Sequence, residues 1–175
     1  MDGTRGFLEG RKEWCISLAV IENNRPVEAV LHCPPLERTF YAKLGQGVKF
    51  SALVEPKKRT PGKPLATGSK KLIETMAQLP GQPFDVAPFI PSLAYRLAMV
   101  ATGELDAAFA KPGASEWDVA AADLILREAK CQLTTNDGDA IRYNQRSVTL
   151  PSLLAASNNN HDTIMSLANS SRIIH

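Results

Sequence analysis

The sequence predicts a mixed α/β fold with an α+β N-terminal part and an α/β C-terminal part. Residues 14–53 form short apolar runs separated by Gly, Asn and Pro, which is typical of antiparallel hairpins. Beyond the proline-rich stretch 56–64, strand-like and helix-like runs alternate. We therefore predict two domains, at 1–64 and 65–175. A chain of 175 residues is long enough for one ordinary domain or two small ones.

The first part is predicted to contain four strands. They span 14–22, 27–33, 37–42 and 48–53. Asn23-Asn24-Arg25-Pro26 supplies turn chemistry after the first strand, and Pro34-Pro35 ends the second. Gly45-Gln46-Gly47 turns the chain between the third and the fourth. Short strands joined by short turns indicate an antiparallel sheet.

The second part is predicted to alternate between strands and helices. The strands span 65–68, 105–110 and 153–156, and the helices span 70–79, 92–102, 119–129 and 161–169. Ser69 is a suitable cap for the first of these helices, because a serine hydroxyl accepts hydrogen bonds from free backbone amides. Gly103 is suited to end the second helix, because glycine adopts the left-handed conformation found after many helices.

Composition argues against several classes of function. The net charge of +2 is too small to indicate nucleic-acid binding, and the basic residues in 57–63 are interrupted by Pro and Gly, as in a solvated loop. Cys15, Cys33 and Cys131 are widely spaced, which argues against a zinc site or a disulfide framework. No apolar run approaches the length of about 18 residues that a membrane helix needs. We expect a cytoplasmic protein without nucleic-acid or membrane partners.

Two short motifs supply acidic residues of the kind that bind Mg²⁺. Asp2-Gly3-Thr4 combines a carboxylate, a tight turn and a hydroxyl, and Trp117-Asp118 opens an alanine-rich helix. Magnesium prefers carboxylates, water and substrate phosphate as ligands. Taken alone, Asp-Gly is a common turn, Asp118 is most simply a helix N-cap, and Trp117 is most simply a core anchor. The two motifs together, in this order and spacing, favour a metal and phosphate site.

These motifs and the segments between them resemble the inositol monophosphatase family. The run from Val100 to Ala107 is similar to the helix–glycine–strand segment before the family's second signature, and the resemblance covers essentially the whole chain. It implies a layered αβαβα sandwich that here lacks the family's first helices and strands. It also implies Mg²⁺ as cofactor, hydrolysis of a small phosphorylated metabolite by a metal-activated water, and a homodimer.

The resemblance also assigns roles to individual residues. Asp2 and Thr4 would be catalytic, because Asp2 bridges the metal pair and Thr4 positions the attacking water. The metal ligands would be Asp2, the backbone carbonyl of Met1, and Asp118. Gly3 and Thr4 would bind the phosphate.

The first motif departs from the family pattern, which reads Asp-Pro-Ile/Leu-Asp-Gly-Thr. Met1 stands in the place of the Ile or Leu, so the family's first Asp and its upstream Glu have no counterpart. We therefore expect weak Mg²⁺ binding, slow or no turnover, and an apolar sheet face left bare unless a partner or a longer chain covers it. A misassigned start, a gene remnant and a deliberately short protein all stay open as explanations.

The substrate is predicted from basic residues. Arg5 resembles the basic residue that bisphosphate nucleotidases and some histidinol phosphatases have at this position. It favours the 3'(2'),5'-bisphosphate nucleotidase branch, with adenosine 3',5'-bisphosphate as substrate. Arg96 and Lys111 are further candidates to contact the second phosphate, although a surface or i,i+4 role is the simpler interpretation of Arg96. Inositol 1-phosphate and histidinol phosphate are the alternative substrates. A catalytically inactive fold or dimerisation module is the alternative function.

Overall fold

Two sheets and the helices beside them make up the computed structural model, which describes residues 1–53, 55 and 62–171. The helices are α1 Thr4–Leu8, α2 Lys70–Ala77, α3 Leu93–Ala101, α4 Glu116–Glu128 and α5 His161–Ser170, with a 3₁₀ turn at Pro34–Leu36. The strands are β1 Ile16–Glu22, β2 Arg25–Cys33, β3 Arg38–Lys43, β4 Val48–Ser51, β5 Leu65–Thr67, β6 Asp85–Val86, β7 Ala107–Ala110, β8 Cys131–Thr135 and β9 Leu153–Ser157. The predicted mixed α/β class is confirmed.

The first sheet is an antiparallel meander in the order β1-β2-β3-β4. Side chains alternate between its two faces, because successive residues of a strand point to opposite sides. Leu31 and Phe40 lie on the inner face and are fully buried. That face packs on α3 and α4, where Ala94 and Ile125 join the same core cluster. The sheet is therefore held in place by one face.

The second sheet has the order β6-β5-β7-β9-β8 and is mixed. Strands β6, β5 and β7 are parallel, whereas β9 runs antiparallel to both of its neighbours. Short apolar residues fill its centre, and every side chain of β7 is buried. A strand covered on both faces reads as a continuous apolar run, which is why this strand was predictable.

The layers alternate between sheets and helices. One core cluster joins Leu97 of α3 and Val119 of α4 to Ala108 of the second sheet, so these helices lie between the two sheets. A further cluster joins Leu72 of α2 and Ile164 of α5 to that sheet's other face. The order of layers is first sheet, helices, second sheet, helices.

The outer face of the first sheet exposes a row of apolar side chains. Ile16, Leu18 and Val20 of β1 are 42%, 64% and 51% exposed, and they occupy alternate positions along the strand. Val30 lies opposite Leu18 and extends the row onto β2. Contiguous exposed apolar surface is unusual on a soluble monomer. The bare face that we expected from the sequence is therefore present.

Some elements were not predicted. Helix α1 and strands β6 and β8 were absent from the prediction, and α4 begins at Glu116 rather than at residue 119. Most of the proposed boundary stretch 56–64, namely residues 56–61, lies outside the described residues, as does the basic run at 57–59. The division at residue 64 therefore stays a prediction. Within the part of the chain that the structure describes, no helix is both long and apolar enough to cross a membrane.

Candidate active site

Asp2 is held by its backbone to Cys15 and by its side chain to the start of helix α3. Its amide donates to the carbonyl of Cys15 at 2.8 Å, and the amide of Cys15 donates back at 3.0 Å. Its Oδ2 accepts hydrogen bonds from the hydroxyl of Ser92 and from the amide of Ala94, the latter at 2.8 Å. The amides at a helix N-terminus favour a negative charge, so this end of α3 stabilises the Asp2 carboxylate.

Gly3 occupies a position that only glycine fills without strain. Its φ of 84° is left-handed, and a Cβ here would lie 3.1 Å from the carbonyl oxygen of Glu13 and 3.1 Å from Cβ of Ser92. Thr4 then begins α1 and is exposed. The glycine thus allows the chain to turn tightly from Asp2 into α1, whose first residue is Thr4.

Asp118 is the third residue of α4. Its Oδ2 accepts a hydrogen bond from the backbone amide of Ser115, the N-cap residue, at 2.9 Å. The simpler interpretation of Asp118 as the N-cap itself is therefore wrong. Asp118 lies in the first turn, and its carboxylate accepts a hydrogen bond from the N-cap residue Ser115. Trp117 is 64% exposed, so its interpretation as a core anchor is also wrong.

The two acidic motifs interact electrostatically. Burial raises the pKa of Asp2, and the hydrogen bonds from Ser92 and Ala94 oppose that rise. The negative charge of Asp118 raises the same pKa further, whereas Arg96 lowers it. Two carboxylates that repel one another are stabilised by a cation between them. The fold therefore brings together acids that lie far apart in the sequence.

Arg96 is buried close to these acids. It is 6% exposed, and its Nη1 donates to the carbonyls of Ile90 at 2.9 Å and Gly68 at 3.4 Å. Its Nε has no hydrogen-bond partner among the described residues. Burial lowers the pKa of Arg96 to about 10 and Asp2 opposes this, so the side chain is still charged at neutral pH. The surface interpretation of Arg96 is wrong.

A cavity of about 530 Å³ opens beside the first motif. It is lined by Gly3, Thr4 and Arg5 of the first motif and by Lys70 and Lys71 at the start of α2. These two lysines were not predicted from the sequence, although they follow Gly68-Ser69 at a strand–helix junction. Ser92 was missed as well, because its contact with Asp2 depends on the fold.

The remaining predicted site residues lie at the surface. Met1 is 58% exposed and directly precedes Asp2. Lys111 is exposed in the loop after β7, and no hydrogen bond or ion pair in the described part of the chain joins it to the other candidates. The structure therefore brings Asp2, Asp118 and Arg96 together, and it brings Arg5 to the cavity beside Gly3 and Thr4.

The donor set is small but suits a hard cation. Among the described residues, no group of three or more His, Cys, Asp or Glu side chains could hold a metal ion. Magnesium is commonly bound by one or two carboxylates and completed by water and substrate phosphate. Asp2 and Asp118 fit that minimal set. Each already accepts a backbone amide hydrogen bond, and such bonds orient a ligating carboxylate.

The chain is similar in sequence to several bacterial proteins. It is 34% identical to the Nus factor SuhB of Haemophilus influenzae over 74% of its own length and 52% of that protein. It is 28% identical to histidinol-phosphatase of Mycobacterium tuberculosis over 97% of this chain and 67% of that protein. It is 26% identical to the 3'(2'),5'-bisphosphate nucleotidase CysQ of H. influenzae over 86% of this chain and 59% of that protein. The chain thus spans between half and two thirds of these relatives.

Solved structures show the same fold. An IMPase from Thermotoga maritima matches with a TM-score of 0.77 and 26% identity, over 97% of this chain and 66% of that one. An IMPase/NADP phosphatase complexed with Mg²⁺ and phosphate matches with a TM-score of 0.78 and 19% identity, over 97% of this chain and 64% of that one. The family model described as the inositol monophosphatase family matches residues 1–172. The chain therefore belongs to the inositol monophosphatase family, whose members are metal-dependent phosphatases.

Proposed function

We propose that the protein hydrolyses phosphate monoesters in a Mg²⁺-dependent reaction at the Asp2-Gly3-Thr4 motif. The observation that carries this proposal is the geometry at Asp2, whose carboxylate accepts hydrogen bonds from Ser92 and Ala94 beside the left-handed turn at Gly3. The negative charge of Asp118, from the second motif, raises the pKa of that carboxyl. Membership of a family of metal-dependent phosphatases supports it. Water attack on a phosphate ester needs charge neutralisation and a positioned nucleophile, and the residues around these acids supply groups of both kinds.

Each residue of the motif has a distinct task in this proposal. Asp2 and Asp118 would hold the cation, and the carbonyl of Met1 would be a further ligand. The turn at Gly3 leaves backbone amides free to donate to the phosphate, and the Thr4 hydroxyl orients the attacking water. When bound, Mg²⁺ supplies positive charge against the phosphoryl oxygens and makes the water more acidic.

Adenosine 3',5'-bisphosphate is the proposed substrate. A second phosphate needs cationic groups away from the metal, and both Arg5 and the buried charge of Arg96 lie close to the motif. The named relatives include a bisphosphate nucleotidase, a histidinol-phosphatase and SuhB, so their names favour no single substrate. Inositol 1-phosphate and histidinol phosphate are the next candidates. The proposal includes a cytoplasmic homodimer that acts on small metabolites and contacts no nucleic acid.

A specific observation favours a second function, that of an inactive scaffold. Asp2 and Asp118 each accept a hydrogen bond at a helix start, and no third acid joins them among the residues described. Two carboxylates bind Mg²⁺ weakly, so even an active chain is expected to turn over slowly. A chain without turnover would retain the fold as a binding or dimerisation module.

Phosphate release distinguishes the two functions. The purified chain is incubated with Mg²⁺ and adenosine 3',5'-bisphosphate, with inositol 1-phosphate and histidinol phosphate in parallel, and with EDTA as control. We expect slow release that EDTA abolishes and that is fastest with the bisphosphate. The Asp118→Asn variant is the matched control for the metal site. Absence of release from all three substrates would favour the scaffold.

A further inference from the structure

The cavity beside the first motif, here called the basic pocket, is lined by Gly3, Thr4, Arg5, Lys70, Lys71 and Phe89, together with Glu9 and other residues. Its volume of about 530 Å³ lies within the range of small-molecule sites. Because Gly3 and Thr4 belong both to the pocket lining and to the proposed phosphate site, a phosphate held at that site adjoins the pocket.

The pocket carries an excess of positive charge. Arg5, Lys70 and Lys71 contribute three positive charges, and Glu9 contributes one negative charge. Arg96 is a buried cation near the pocket, since its guanidinium donates to the carbonyls of Gly68 and Ile90, which adjoin the lining residues Ser69 and Phe89 in sequence. A cleft lined by one sign of charge attracts ligands of the other sign.

The Phe89 ring lies beside one of these cations. The Nζ of Lys70 lies 5.3 Å from the centre of the Phe89 ring. The guanidinium carbon of Arg11 lies 5.8 Å from the same ring, and Nη2 of Arg11 donates to the Phe89 carbonyl at 3.2 Å. Cation–ring contacts contribute about 0.5–1 kcal/mol at exposed sites. The Phe89 ring therefore attracts the ammonium group of Lys70 towards the pocket lining.

We propose that the basic pocket binds the second phosphate of a doubly phosphorylated substrate, with Arg5, Lys70 and Lys71 as the residues that contact it. This inference rests on the proposed function, because it takes the first phosphate to lie at Gly3 and Thr4. The basic pocket would then select small bisphosphates over monophosphates. The pocket residues Lys70 and Lys71 replace Lys111 as the partners of the second phosphate.

The test measures binding rather than turnover. Isothermal titration calorimetry in EDTA compares adenosine 3',5'-bisphosphate with adenosine 3'-monophosphate, so that no hydrolysis occurs. The wild-type chain is expected to bind the bisphosphate more tightly, and added salt should reduce the difference. The double variant Lys70→Gln/Lys71→Gln should weaken bisphosphate binding by about tenfold or more while changing monophosphate binding little.

Two further variants complete the experiment. Lys43→Gln removes an exposed lysine from the end of β3, outside the pocket, and should leave both affinities unchanged. Arg5→Gln removes the third cation of the pocket lining and should also weaken bisphosphate binding selectively. Equal affinity of the wild-type chain for the two ligands would overturn the inference, as would an unchanged bisphosphate affinity in the double variant. Selective binding without any turnover in Mg²⁺ would refute the proposed hydrolysis and leave the pocket inference standing.

Discussion

At the scale of single residues, the site depends on contacts between distant parts of the chain. The motif Asp2-Gly3-Thr4 could be identified from the sequence because its residue types and order are distinctive. The partner of Asp2 could not be identified, since Ser92 and Ala94 reach it only through the packing of α3. The exposure of Trp117 was also unpredictable, because an isolated tryptophan is usually well buried.

Gly3→Ala tests two reasons for a glycine at this turn, the left-handed backbone and the close approach of neighbouring atoms. The substitution forces a Cβ into a left-handed backbone and into contact with Glu13 and Ser92, both at 3.1 Å. We expect the free energy of unfolding to fall by about 1–3 kcal/mol. Chemical denaturation measures this loss.

Gly45→Ala is the matched control for that variant. Gly45 has a similar φ of 74°, but a Cβ added there would meet no atom within 4 Å. It should therefore show only the backbone part of the cost. Equal losses in the two variants would mean that the close approach at Gly3 contributes nothing.

At the scale of elements, strands with local apolar patterns were predictable and strands that depend on pairing were not. Strand β8 contains Gln132, Thr134 and Thr135 and gains its strand character from the ladder with β9. Strand β6 has only two residues, which is too short to leave a pattern. The start of α4 was placed late because Glu116 and Trp117 do not continue the alanine-rich run, whereas Ser115 in fact caps the helix.

Helix α4 contains a buried acid that should make stability depend on pH. Asp123 is 4% exposed, and the hydroxyl of Tyr143 donates to its Oδ2 at 2.9 Å. Burial raises the pKa of Asp123, against the opposing effects of Arg127, Tyr143 and Arg25. A raised pKa means that the native state holds the proton more tightly than the unfolded state. The resulting stabilisation is present below the ordinary value of 3.8 and is lost as pH rises through the native value.

Asp123→Asn removes this titration. We expect wild-type stability to fall relative to that of the variant as the pH is raised from about 4 towards 7. Urea denaturation across this range measures the difference. Asp139→Asn, which changes an exposed acid in the loop after β8, is the control, and its stability curve should run parallel to that of the wild type. Parallel curves for Asp123→Asn would contradict the assignment.

At the scale of the whole molecule, the fold class and the family were predictable because hydrophobic patterns and two motifs run through the entire chain. The arrangement of layers was implied only by the family resemblance. The structure adds that the first sheet packs by one face and leaves Ile16, Leu18 and Val20 at the surface. Strand β1 also lies at the edge of that sheet. An exposed apolar edge is prone to association.

Leu18→Lys tests the consequence of this bare face. We expect the wild-type chain to bind an apolar dye and to self-associate. The lysine variant should bind less dye and self-associate more weakly. Because Leu18 is 64% exposed, the substitution should change the free energy of unfolding of the protein by no more than about 0.5 kcal/mol. Leu31→Ala on the buried face of the same sheet should instead cost about 2–5 kcal/mol. Unchanged dye binding in Leu18→Lys would mean that the face is covered in solution.

The most direct test of the proposed phosphatase site compares phosphate release by the wild-type chain with release by Asp118→Asn. We expect slow, EDTA-sensitive release from adenosine 3',5'-bisphosphate that the variant loses. Asparagine retains an oxygen that can accept from Ser115, so stability should fall by only about 0.3–1 kcal/mol through the lost charge at the helix start. Release that is equal in both proteins, insensitive to EDTA, or absent from the wild-type chain would contradict a metal-dependent phosphatase site built on Asp2 and Asp118.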